Sequence, residues 1–151
     1  MKRWLLLLLI IAISLSAVSC GGYNAIMREH LGSKDNYHDV DAVFCSYEKI
    51  DDFIYLHVSV EDRSAFDLSE ANSNEIRLTL VGDSCAALLE FFENKEICEG
   101  DKITVKCSTL IYMDTTFYYI AEMKFQDKTL LSFDDGLKNI IEYMDSNKSL
   151  F

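Results

Sequence analysis

The chain of 151 residues contains no proline that could mark its loops, and it has no internal repeat. Basic residues are scarce, because 14 Lys and Arg stand against 25 Asp and Glu, a formal net charge of −11. A phosphate backbone attracts basic surfaces, so we expect no nucleic-acid partner. The single tryptophan, Trp4, lies in a segment that we expect to be removed. A mature chain without tryptophan weakens a carbohydrate-binding interpretation.

Sequence signatures of catalysis are also missing. The chain has no G-x-S-x-G nucleophile motif, no glycine-rich phosphate loop and no H-E-x-x-H zinc motif. Asp51-Asp52 and Asp134-Asp135 are adjacent pairs, which are better explained as turn and cap residues than as acid/base couples. We therefore expect a non-catalytic protein without a cofactor or a metal site. An enzyme whose site is assembled from distant loops is the alternative.

Residues 1–19 have the three-part pattern of a secretory signal peptide. Two basic residues precede a continuous apolar run, Trp4–Ile13, and small and polar residues follow it. A helix that spans a bilayer needs about 20 apolar residues, and this run is about half that length. An uncleaved N-terminal anchor is the alternative.

The end of this segment, Ala17–Cys20, reads Ala-Val-Ser-Cys and resembles the lipobox of bacterial lipoproteins, with alanine where leucine is usual. In that family the cysteine is diacylated and becomes the mature N-terminus. The resemblance implies that Cys20 is lipidated and that the protein is exported and anchored to the outer face of a bacterial membrane. The acyl chains of a lipidated cysteine are sufficient for stable membrane anchoring. Plain secretion with a free Cys20 is the alternative.

Polarity divides the mature chain into three parts. Residues 20–39 are polar and aperiodic, which predicts a lipid anchor and a flexible tether, with at most one helical turn around Ala25–Leu31. Residues 40–131 are rich in β-branched and aromatic residues and alternate in polarity, which predicts strands. Residues 132–151 predict a C-terminal amphipathic helix and tail. The expected fold class is mainly β with helices, α+β.

The middle part predicts five strands and one helix. Val40–Glu61 predicts a hairpin that turns at Asp51-Asp52, and Glu75–Val81 predicts the third strand. Ser84–Lys95 places its apolar residues at helical spacing. The fourth and fifth strands are expected at Lys102–Tyr112 and Phe117–Phe125, with a short extension at Thr129–Leu131.

Five strands with a helix between the third and fourth resemble the OB-fold, a Greek-key barrel. Ile76–Leu80, Ser84–Lys95 and Ile97–Val105, the last with a Gly-Asp turn before a strand, are similar to the core of tRNA-anti-like OB domains. The resemblance covers roughly Val40–Phe125 and implies an OB-like barrel. Another small α+β sheet with helices on one face is the alternative.

The second and third strands carry the usual ligand face of OB-folds. The resemblance therefore implies that the outward residues of these strands form a ligand face. These residues are Tyr55, His57, Arg77 and Thr79. The alternative is that these polar and aromatic residues form an ordinary strand surface that binds no ligand.

Four cysteines remain if Cys20 is lipidated. The first and fourth strands of an OB barrel are neighbours, so Cys45 and Cys107 form the best candidate disulfide. Four small buried thiols without a disulfide are the interpretation that we favour, and this pair is the alternative. The chain has no C-x-x-C, and alternating strand positions do not cluster four ligands, which argues against zinc.

These features together indicate a membrane-anchored envelope protein that holds an envelope protein or a small ligand at the membrane surface. A structural envelope protein and a hydrolytic enzyme are the alternatives.

The lipid anchor can be tested by intact mass. Protein extracted from the membrane fraction of a bacterial host should begin at Cys20 and carry a diacylglyceryl group. Cys20→Ser should remove the adduct and the membrane association, whereas Cys98→Ser should preserve both. A soluble chain that begins at Cys20 without lipid would contradict this prediction.

Overall fold

A computed structural model of the protein describes residues 25–62, 66, 75–112 and 115–146. These residues form a six-stranded sheet with three helices, which confirms the predicted mainly β, α+β class. The predicted signal peptide, the lipobox and Cys20 lie outside the described residues.

The described elements follow the predicted order. Helix α1 spans residues 25–32, and a 3₁₀ turn follows at Lys34–Asn36. The strands are β1 (Tyr37–Ile50), β2 (Phe53–Val60), β3 (Glu75–Val81), β4 (Lys102–Tyr112), β5 (Thr115–Phe125) and β6 (Lys128–Leu131). Helix α2 (Asp83–Glu93) lies between β3 and β4, and helix α3 (Phe133–Ser146) follows β6.

The strand pairings form a cycle. The sheet order is β3-β2-β1-β4-β5-β6, and β3 also pairs with β5. That additional pairing is parallel and joins Leu78 to Tyr118 and Thr79 to Tyr119. The first five strands are therefore linked without interruption, and β6 extends the sheet from β5.

Strand β1 makes this cycle possible because it serves two neighbours. Its first half pairs with β4, from Tyr37 to Val43, and its second half pairs with β2, from Ala42 to Ile50. An irregularity between Phe44 and Ser46 interrupts the β1–β2 register. Bulges of this kind bend a strand and increase its twist, which allows one strand to leave one partner and follow another.

Alternation along the strands builds the main core. Ile54, Leu56, Val58 and Val60 of β2 are all buried, as the sequence pattern predicts. Helix α2 adds Phe92, whose ring stacks on Phe44 of β1 at 5.5 Å between ring centres. Each large side chain buried in this way contributes about 1.5–3 kcal/mol.

A second apolar cluster lies on the opposite face of the sheet. Neighbouring residues of a strand point to opposite faces, and Val81 and Ala121 belong to this cluster while Leu80 and Ile120 belong to the first. Helices α1 and α3 cover this face. Their buried contributions are Met27, Leu31, Leu137 and Ile140.

Much of the predicted tether is folded. Residues 25–36 form α1 and the 3₁₀ turn, and Tyr37 rather than Val40 begins β1. An isolated helix of eight residues is unstable in water, so tertiary contacts must hold α1. Met27 and Leu31 are buried four positions apart, and one such pair is too short to establish helical periodicity in the sequence.

The close approach of α3 to β5 requires a glycine. A Cβ atom at Gly136 would overlap the backbone carbonyl of Ala121. Gly136→Ala should therefore destabilise the protein by about 3 kcal/mol, because the helix must move away from the strand. Thermal unfolding followed by circular dichroism measures this loss.

Gly32→Ala is the matched control, because a Cβ there would lie 4.0 Å from Ile141 Cδ1, an ordinary contact. Its melting temperature should stay close to that of the wild type. Equal melting temperatures for the two variants would show that α3 does not pack against β5 at this distance.

Candidate functional site

The four residues of the predicted ligand face are neighbours in the structure. Tyr55 pairs with Thr79 across β2 and β3, and His57 pairs with Arg77. The Arg77 guanidinium lies 4.7 Å from the centre of the Tyr55 ring. His57 Nδ1 lies 3.3 Å from a carboxylate oxygen of Glu75. Arg77 therefore contacts Tyr55, and His57 contacts Glu75, along the outer side of β2 and β3.

Part of this face is covered. Thr79 is only 4% exposed, so it cannot contribute directly to a surface site. Tyr55 stacks on Phe53 at 5.8 Å between ring centres, and Phe53 contacts Tyr143 of α3 at 5.2 Å. The accessible part of the predicted face is therefore the group formed by Tyr55, His57 and Arg77, of which Arg77 is the most exposed.

An open groove of about 820 Å³ lies elsewhere on the sheet. Its walls come from the first half of β1, the beginning of β4, the end of β5 with its following turn, and the residues around the end of β2. Outward positions such as Asp41 and Thr104 form its surface, and the buried residues Val40 and Ile103 lie beneath them. We call this feature the acidic groove because carboxylates predominate along it.

Carboxylates outnumber ammonium groups along the groove by six to two. The carboxylates are those of Asp39, Asp41, Glu61, Asp62, Asp101 and Asp127. The ammonium groups are those of Lys102 and Lys124. Lys124 is paired with Glu122, and the hydrogen bond and charge of Glu122 raise the pKa of Lys124. Part of the positive charge in the groove is therefore already compensated.

Two of the carboxylates are held by local hydrogen bonds. The Thr104 hydroxyl donates to Asp41 Oδ1 at 2.8 Å, across the β1–β4 pair. The backbone N–H of Cys98 donates to Asp101 Oδ2 at 2.7 Å. That second bond closes the turn before β4, in which Gly100 has a φ of +92° and donates its N–H to the carbonyl of Phe44. The groove thus has pre-positioned acceptors along its wall.

Sequence patterns do not reveal this groove, although they contain its parts. Asp39 and Asp41 alternate with buried residues on β1, and Asp101 belongs to the Gly-Asp turn before β4. An acidic residue that faces outward on a single strand indicates only a solvent-exposed side chain. Only the β1–β4 register, which places Asp41 opposite Thr104, brings these side chains together with the turn after β5.

Within the described part of the chain, no three or more His, Cys, Asp or Glu side chains are arranged to hold a metal ion. The described helices also include none that is long and apolar enough to cross a membrane.

Cys45 and Cys107, the best candidate pair for a disulfide, lie far apart in the structure. Cys107 lies opposite His38 in the β1–β4 register, and Cys45 is seven residues further along β1. That offset corresponds to about 23 Å along a strand, whereas a disulfide needs Cα atoms within about 7 Å. The two strands are adjacent, as the resemblance implies, but their register separates the two cysteines. The four described cysteines are all free.

Burial makes three of these thiols poor nucleophiles. It raises the pKa of Cys107 to about 12 and is the largest cause of the raised pKa values of Cys85 and Cys45. The thiolate is the reactive form of cysteine, so these raised pKa values disfavour the reactive form at neutral pH. Cys98 differs because it is exposed.

A scan against protein-family models finds none that matches this chain, and a search of curated proteins finds no match either.

Thiol labelling should separate the cysteines by exposure. In the folded protein, we expect a maleimide to modify Cys98 at least about tenfold faster than Cys85 or Cys107, which need an opening of the fold to react. Mass spectrometry after timed quenching measures each site. Cys98→Ser should remove the fast phase, and a fast phase that persists in this variant would contradict the described burial.

Proposed function

We propose that this protein is a lipid-anchored bacterial envelope protein whose OB-like domain binds a positively charged ligand in the acidic groove. The observation that carries this proposal is the groove itself, a concave surface that combines six carboxylates with pre-positioned acceptors. The ligand is held rather than transformed.

The order and direction of the strands support the OB-like interpretation. The cycle β3-β2-β1-β4-β5 returns to β3 through a parallel pairing, and α2 lies between β3 and β4. A five-stranded Greek-key barrel has the same number of strands. The long, bent β1 provides the shared strand that such a barrel needs.

The volume and charge of the groove define the class of ligand. Small-molecule sites have volumes of about 300–1,000 Å³, and this groove lies within that range. Two opposite charges 4 Å apart attract by about 1 kcal/mol in water and about 4 kcal/mol at an effective dielectric constant of 20. Several carboxylates spread along a groove therefore favour an extended cation, such as a polyamine or a lysine-rich peptide segment.

The side chains of the groove support binding without catalysis. Among the residues described there, no histidine or cysteine lines the wall. The buried thiols Cys85 and Cys107 belong to the main core and stay protonated. A nucleophilic mechanism would need an activated group at the groove, and the carboxylates Asp41 and Asp101 are instead engaged as hydrogen-bond acceptors.

Calorimetric titration of the detergent-extracted lipoprotein with spermine tests this function. Asp41→Asn together with Glu61→Gln should weaken spermine binding by about tenfold, because each change removes one attractive charge from the wall. Asparagine at position 41 retains an acceptor for the Thr104 hydroxyl. Binding should also weaken as salt is added.

Glu90→Gln with Glu93→Gln is the matched control, since it removes the same charge from α2, outside the groove. This control should change affinity by less than about twofold, apart from the general effect of net charge. Equal losses in the two double variants would show that spermine responds only to the total charge. The absence of any binding would reject the groove as a cation site.

A further inference from the structure

Helix α1 presents one large apolar side chain to solvent. Ile26 is 66% exposed, whereas Met27 and Leu31 on the same helix are buried. Among the described residues, the other large apolar side chains that are exposed are Ile50 and Ile111, and both are less exposed than Ile26. The described residues leave most of the Ile26 side chain uncovered, so it can contact a partner outside the domain.

The length of chain before α1 restricts what this partner can be. Cys20 precedes Ala25 by five residues, which can span at most about 18 Å when fully extended. If Cys20 carries the lipid, as proposed above, the first turn of α1 must lie within that distance of the membrane. A bilayer surface is therefore the apolar partner closest to Ile26.

Helix α1 and the 3₁₀ turn after it contact the rest of the domain at three places along their length. Arg28 pairs with Asp145 near the end of α3 at 3.1 Å, and Lys34 pairs with Asp134 near its beginning at 3.0 Å. Between them, the Nε2–H of His30 donates to the carbonyl of Thr109 at 2.8 Å. The proposed lipid anchor is therefore connected to the domain through a helix that packs against it.

The acidic groove lies at the other end of α3. Phe133, the first residue of α3, lies 5.3 Å from the Lys106 ammonium, and Lys106 pairs with Asp39 of the groove at 3.6 Å. The last turn of α3 carries Asp145, the partner of Arg28. A helix of 14 residues is about 20 Å long, so the contact with Arg28 of α1 and the contact that leads to Asp39 of the groove lie at opposite ends of that length.

We infer that α1 holds the domain in one orientation on the membrane, with Ile26 in the lipid interface and the acidic groove directed away from the surface. The interface accepts an apolar side chain, and anionic lipid headgroups repel the carboxylates of the groove. The inference rests on the proposed lipid anchor. Beyond that anchor, it identifies the surface of the domain that faces the membrane, and it explains why Ile26 is exposed.

Tryptophan fluorescence can test this orientation. The only tryptophan lies in the predicted signal peptide, so the mature chain offers no background emission. Lipidated full-length protein carrying Ile26→Trp, or Lys102→Trp in the groove, is reconstituted into phosphatidylethanolamine–phosphatidylglycerol vesicles with or without brominated acyl chains. The brominated chains should reduce emission at position 26 by about twofold and leave emission at position 102 unchanged, since an interfacial side chain lies 5–10 Å deep.

Flotation of the vesicles distinguishes the possible failures. Protein that floats with vesicles but shows equal quenching at the two positions, or none at position 26, would overturn the orientation while preserving the anchor. Protein that does not float would reject the lipid anchor and the orientation with it. Circular dichroism spectra and melting temperatures equal to the wild type ensure that both variants are folded.

Discussion

The shared strand β1 is the constraint on which the rest of the structure depends. Because β1 pairs with β4 along its first half and with β2 along its second, the first five strands can be linked in a cycle. The irregularity between Phe44 and Ser46 provides the bend. The inner positions of this cycle enclose the main core, and its outer positions on β1 and β4 form the acidic groove.

The outer face of the sheet is divided between packing and solvent. Helices α1 and α3 cover one region, in which Val81 and Ala121 are buried, while the groove stays open beside the beginning of α3. This division gives the proposed ligand site and the proposed membrane surface different places on one small domain. A lipid anchor and a charged ligand can thus be bound at the same time without competing for the same side chains.

Much of the fold could be predicted because its signals are local. The alternation of Ile54 to Val60 and of Glu75 to Val81 predicts strands with one buried face. Both strands are present, and β2 has this pattern, whereas β3 is buried on both faces from Leu78 to Val81. Ser132 and Asp135 predict the start of α3 as a capping box, and the Asp135 N–H donates to the Ser132 hydroxyl. Helix α1 has no comparable signal, since its stability comes from contacts with α3 and β4.

The sequence by itself determined the strands, the helix between β3 and β4, and the excess of acid, because these follow from periodicity and composition along the chain. Only the tertiary structure decided the register of β1 against β4, and with it the separation of Cys45 from Cys107 and the assembly of the acidic groove. Register depends on side chains that meet across strands far apart in sequence. A pattern within one strand identifies which residues face outward, but it cannot determine which residues of another strand they will meet.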